Sequence, residues 1–170
     1  LTITGSAAAP GGQYDLAVTK ASTRALARAG LGPFDAKAHG SIAGNKVTID
    51  GTISAPSLQG IRVAGAIPLG HGELDLTVKG EAGLNLVNTA LATTGAYAAG
   101  KMTIDASIKG TTDAPQASGT IRIVNGSFND AINGMAFDKI DGEIVAQGRD
   151  IAIRSFTAHT ADGGTVQAQG

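Results

Sequence analysis

KMTIDASIKGTTDAPQASGTIRI, from Lys101 to Ile123, is the stretch that decides how this chain folds. Met102, Ile104, Ala106 and Ile108 alternate with Lys101, Thr103, Asp105, Ser107 and Lys109. Side chains on a strand point to opposite faces in turn, so this spacing makes one apolar wall and one wet wall. The pattern then breaks at Gly110-x-x-x-Ala114-Pro115. Proline offers no backbone donor, so an Ala-Pro pair suits a strand edge, a bulge or a connection. After Gly119 the alternation resumes, with Ile121 and Ile123 against Thr120 and Arg122.

The same phrase occurs elsewhere in the chain. GSAAAP starts at Gly5, GTISAP at Gly51 and GTTDAP at Gly110, giving spacings of about 46 and about 59 residues. KVTID from Lys46 precedes the second copy as KMTID precedes the third, and Gly60 and Arg62 follow it as Gly119 and Arg122 do. Such self-similarity marks a repeat architecture whose units bury a face only by stacking. Val47, Ile49 and Ile53 oppose Lys46, Thr48, Asp50 and Thr52; Leu74, Leu76 and Val78 oppose Glu73, Asp75, Thr77 and Lys79. Further strands are expected near residues 14–19, 34–42, 61–67, 140–146, 151–157 and 165–169.

Turn chemistry lies between the strands. Asn125-Gly126 and Asp141-Gly142 are dipeptides favoured in two-residue hairpins, where both central residues take positive φ. Asn133-Gly134 and Asp162-Gly163 are further turn candidates. Asn125-Gly126-Ser127 also matches a glycosylation sequon, but a turn accounts for the same residues. Two segments read as short helices against a lip of the sheet. Ser22–Gly30 has a capping Ser, good helix formers and a closing Gly; Leu84–Gly95 sets Leu84, Val87 and Leu91 at helical spacing.

Composition narrows the function. The 170 residues include 25 Gly and no Trp or Cys, with 4% aromatic and 16% charged residues and a net charge of −1. No basic stripe is available for a nucleic acid, and no thiolate metal site or disulfide framework is possible. His39, His71 and His159 fall in separate units without ligand-spaced partners, so no metal or cofactor is implied. No nucleophile elbow, P-loop or dinucleotide fingerprint occurs, and the chain does not read as an enzyme. Residues 82–100 lack charge, yet their Asn, Thr and Gly content is too polar for a lipid-exposed span. The chain opens at Leu1 and stops within a strand-like pattern, as a fragment of something longer would.

The apolar faces remain. One reading is an ordinary protein core. The other is a trough: a hairpin sheet that curls lengthwise encloses a continuous apolar groove. A lining rich in Ala, Ile, Leu, Val and Met and poor in aromatics suits acyl chains. Val47, Ile49, Ile53, Leu74, Leu76, Val78, Met102, Ile104, Ile108, Ile121 and Ile123 are the candidate lining. Residues 1–170 then form a single all-β repeat domain, an elongated and mainly antiparallel sheet with at most two short helices.

From Gly72 onward the order of elements is itself informative. Leu74-Asp75-Leu76 precedes a short apolar helix-like segment and a strand. Next come G-x-x-x-A-P-x-x-x-G-x-I-R-I, an Asn-Gly pair, F-x-x-I-D-G-E-I from Phe137, and a closing G-G-T-V-x-x-x-G from Gly163. Over about 100 residues this resembles the C-terminal region of the TamB family, translocation and assembly module subunits of the AsmA-like group. After Pro10 the first copy lacks the Gly and the Arg-bearing strand. The resemblance implies a taco-like β-groove in a periplasmic protein of Gram-negative bacteria, anchored to the inner membrane by a segment outside this fragment. It implies phospholipid acyl chains as cargo toward the outer membrane, and a TamA-type outer-membrane barrel as partner. The alternative function is a chaperone-like scaffold for outer-membrane β-barrel and autotransporter assembly.

Overall fold

Period-two alternation gives each strand one face that leaves water and one that keeps it, and the chain folds accordingly. The computed structural model describes residues 2–6, 9–22, 32–148 and 150–170. Among them, eleven strands form one antiparallel sheet in chain order. They are β1 (Thr2–Ser6), β2 (Ala9–Ala21), β3 (Phe34–Ala43), β4 (Lys46–Ala55), β5 (Leu58–Pro68) and β6 (Glu73–Gly83), then β7 (Ala96–Thr111), β8 (Ala114–Asp130), β9 (Met135–Gly148), β10 (Asp150–Thr160) and β11 (Thr165–Ala168). The sheet does not close on itself: β1 and β11 are its two end strands. It is an open, curled groove.

Among the described residues no second layer covers it. Extensive strand contacts run only between sequence neighbours. A compact globule of 16.8 kDa exposes roughly 7,700 Å² by the usual mass scaling, whereas this chain exposes 10690 Å². Among the described residues no large side chain is completely buried. A single sheet leaves each inward side chain touching only its neighbours on the same face, which accounts for half-burial in place of a packed core.

The hairpin ends differ from the sequence expectation in an instructive way. Asn133-Gly134 and Asp162-Gly163 do make turns, with Gly134 at φ 66 and Gly163 at φ 82. Asn125-Gly126 and Asp141-Gly142 do not: they lie inside β8 and β9. Asn125 takes φ 49, and Asn125 and Gly126 together face the single Gly100, between the pairs Ala99–Ser127 and Lys101–Val124. This is a β-bulge, the in-strand use of the same positive φ. The freed N–H of Asn125 donates to the Asp141 carboxylate at 3.0 Å, so the two dipeptides complete each other across the ladder. Gly44-Asn45, which the sequence reading passed over, is a two-residue turn that sets Ala43 opposite Lys46.

The repeated Ala-Pro phrase has one register in the first and third copies and another in the second. Gly5 pairs Pro10 and Ser6 pairs Ala9, as Gly110 pairs Pro115 and Thr111 pairs Ala114. In the second copy Pro56 and Ser57 form the turn and Ala55 pairs Leu58. Residues 106–109 have no counterpart after KVTID. The turn therefore stays within one residue of the same distance from the start of the preceding KVTID or KMTID while it slides three residues along the motif, and Pro56 supplies the fixed φ that a turn uses.

The expected segment at Leu84–Gly95 is helical in three pieces: 3₁₀ turns at Leu84–Val87 and Ala92–Thr94 flank one α-turn at Asn88–Leu91. Gly95 closes it at φ 70. Leu84, Leu86 and Leu91 are half-buried whereas Val87 is exposed, so the buried face is not the one that the spacing named. This crossover sits beside the end of β7, where β6 has stopped. The Asn88 carboxamide accepts from the Ala98 N–H at 2.7 Å and donates to the Ala98 carbonyl at 2.9 Å. It thereby caps a strand edge that would otherwise stay open. The helix expected at Ser22–Gly30 lies outside the described residues.

Candidate functional site: an uncharged wall on one face of the sheet

Residues directly opposite in an antiparallel ladder share a face. Following the pairs from strand to strand therefore traces the wall. Ile53 pairs Ile61; Gly80 pairs Ile104; Ile104 pairs Ile121; Ile121 pairs Ile144; and Ile144 pairs Ile153. One step along the strands, Gly51 pairs Val63, Val63 pairs Val78, Val78 pairs Ala106, Ala106 pairs Gly119 and Gly119 pairs Ala146. A row of isoleucines thus runs beside a row of small side chains. Flanking rows hold Met102 opposite Ala82 and Ile123, Leu76 opposite Ile108, and Val47 opposite Ile67. Ile49 faces Gly65, and Leu74 faces Gly110.

All eleven candidate lining residues therefore fall on one face, and every one is half-buried. No charged side chain interrupts these rows. The reading by single strands missed Val63, Ile67, Ile144, Ile153 and Phe156, which extend the same wall. Their alternation was present in the sequence; their alignment with the other strands was not.

Two glycines show how closely the backbones approach along the wall. Gly65 has φ 141 and Gly119 has φ 152. A Cβ on Gly65 would collide with the Asp75 carbonyl oxygen, and one on Gly119 with the Asp105 carbonyl oxygen. Only glycine takes this backbone region without strain. The bends that it permits lie on the row of small side chains and the row next to it.

The opposite face is a ladder of ion pairs. Arg62 meets Asp50 at 2.6 Å, Lys79 meets Asp105 at 3.0 Å, Lys109 meets Asp75 at 3.7 Å, and Arg122 and Arg154 clamp Glu143 at 2.7 and 3.3 Å. Each joins neighbouring strands on the solvent-facing side, where screening leaves such a pair little net effect on stability. Their larger effect is on specificity: a charged outer face penalises a register slip that would turn it inward. Hydrogen bonding from Arg62 holds the Asp50 carboxyl below the usual carboxylate range, and Arg122, then Arg154, does the same for Glu143.

Asp130, buried at the tip of β8, is the third depressed carboxyl. It accepts from the Asn133 side-chain amide at 2.7 Å and from the backbone N–H groups of Asn133 and Ile132 at 3.0 and 3.1 Å. A carboxylate whose pKa is lower in the folded state stabilises the fold above its unfolded pKa, and that stability is lost as pH falls through the folded pKa. Unfolding midpoints in urea are expected to stay level from neutral pH to about 5 and to drop below about 4. A midpoint that rises on acidification below pH 4 would contradict these three assignments.

The histidines are dispersed. His39 stands on the outer face in register between Asp15 and Asp50, beside an open depression of about 400 Å³. His71 is 3.6 Å from Asp113 in neighbouring turns, and His159 lies on β10 near Thr165. Among the described residues no three His, Asp or Glu side chains converge as a metal site. No helix among them is long and apolar enough to cross a membrane. No protein-family model, curated protein or solved structure matches the chain.

Proposed function

We propose that this chain is a lipid-conduit segment of a TamB-like periplasmic protein. It carries phospholipid acyl chains along the apolar groove toward the outer membrane and so supports outer-membrane biogenesis. The observation that carries this reading is the unbroken, uncharged wall from β4 to β10, half-exposed and without a covering layer. Acyl chains gain roughly 0.8 kcal/mol per CH2 on leaving water, and a bilayer gives nearly the same. Transfer between bilayer and groove is then close to neutral, and a lining without polar clamps lets the chain slide. The full-length protein is anchored to the inner membrane and works with a TamA-type outer-membrane barrel.

The second reading, a scaffold for outer-membrane β-barrel assembly, draws on the sheet's unclosed edges. Strand addition needs unpaired backbone groups, which an end strand offers. Native mass spectrometry and solvent extraction of the purified chain separate the two. Co-purifying phospholipid is the expected result. A lipid-free chain that captures unfolded barrel strands would replace the conduit with the scaffold.

A further inference from the structure

The β6–β7 crossover and the β8–β9 hairpin tip meet at one rim of the sheet. No charged residue occurs in the sequence from 82 to 100 or from 131 to 137. Val87, Tyr97, Ile132 and Met135 are exposed there, Ile132 by 73%. The two loops are in contact: the Ile132 Cδ1 lies 2.9 Å from where a Cβ on Gly95 would stand.

The polar groups of this corner are largely spent on one another. Asn88 holds both backbone groups of Ala98. The Thr94 hydroxyl donates to the Leu91 carbonyl at 2.8 Å, and the Thr93 hydroxyl to the Ala90 carbonyl at 3.4 Å. The Asp130 carboxylate, 5% exposed, takes three N–H donors from the tip itself. These bonds also fix the turn that projects Ile132.

We propose that this corner seats in the interfacial layer of a lipid bilayer. A loop tip that dips below the head groups into the acyl boundary leaves most partners for its polar groups behind, so it gains by satisfying them internally and carrying little charge. Both conditions are met here, and an exposed tyrosine is the side chain favoured at head-group depth. A protein partner would be specified by complementary charges and a polar rim. Apart from the internally saturated Asp130, these loops carry no charge to supply them. On this rim the next charges, Asp138 on β9 and Asp162 in the β10–β11 turn, lie outside the two loops, whereas at the opposite rim Leu69 is exposed directly among His71, Glu73 and Asp113. This contact goes beyond the conduit reading and stands whether or not the groove holds acyl chains.

The chain has no Trp, so Ile132→Trp provides a single fluorophore at the tip and Leu69→Trp one at the opposite rim. With vesicles of pure phosphatidylcholine, emission from Ile132→Trp is expected to shift to the blue and to be quenched by brominated acyl chains. Leu69→Trp should not respond. Binding should persist in high salt, because charge does not drive it. Ile132→Asp should lower vesicle partitioning by at least about tenfold in flotation. No blue shift at Ile132→Trp, an equal shift at Leu69→Trp, or loss of binding in salt would each overturn the proposal. So would a blue shift on concentrating the protein without vesicles, which would assign the corner to self-association. Vesicle binding by a chain that extracts no phospholipid would sink the conduit and leave this contact intact.

Discussion

Gly119→Val is expected to destabilise the sheet by at least ~3 kcal/mol, enough to unfold a marginal domain. Two costs add. Gly119 sits at φ 152, a region that branched residues avoid, and a Cβ there would meet the Asp105 carbonyl oxygen and, at 2.5 Å, the Ala106 Cα. Backbone atoms in a paired strand cannot step aside without breaking the ladder on both sides. Gly119 pairs Ala106 on one side and Ala146 on the other. The comparison is Gly44→Ala, at φ 57 in a hairpin turn with nothing within 4 Å of the added Cβ. There the backbone conformation alone is unfavourable, at about 1–2 kcal/mol. Urea unfolding of both variants measures the difference. Equal midpoints would mean that β7 and β8 do not approach as closely as the structure has them.

Ile104→Asp should leave the fold standing and abolish acyl-chain binding. In a two-layer core, an unpaired carboxylate at this position would unfold the protein. Ile104 is instead half-buried between Gly80 and Ile121 on a face that no second layer among the described residues covers. Water can reach the carboxylate, and the expected loss is about 1–3 kcal/mol, the apolar contact forfeited by the isoleucine. The partly desolvated Asp should have a raised pKa. For an acid raised in the folded state, the deficit is greatest above the folded pKa and shrinks as pH falls through it toward about 4. Thr103→Asp places the same charge on the outer face and should alter neither stability nor lipid content. The readouts are thermal melting and phospholipid recovered per mole of protein. Outright melting of Ile104→Asp would return this face to an ordinary core, and unchanged lipid content would remove Ile104 from the groove.

The proposed conduit and the proposed bilayer contact would place different demands on the same sheet. A lipid groove would need small, uncharged, loosely packed side chains over many strands, and the Ala- and Gly-rich composition and shortage of aromatics fit that demand. The rim needs loops that satisfy their own polar groups. Asp130 serves that second demand: its carboxylate ties the tip of β8 and projects Ile132 outward. The ion pairs of the outer face serve neither and hold the register on which both depend.

Much of this was determined by the sequence alone, because alternation is a local property. Lys101–Ile123 fixes which side chains share a face whatever the strand pairs with, and the same holds for Val47–Ile53 and Leu74–Val78. The helical crossover was legible too, since Gly95 closes a run without charge or β-type alternation. Turn location was not. Asn125-Gly126 and Asp141-Gly142 carry the residues of a hairpin, yet a positive φ also suits a bulge, and only the pairing of β8 with its two neighbours selects the bulge. The second Ala-Pro copy likewise takes its register from the strand before it, against the motif. Above all, no single strand reveals whether its apolar face is covered. That depends on which strands lie beside it and on whether a second layer closes over them, and only the tertiary structure decided that the wall from β4 to β10 stays open.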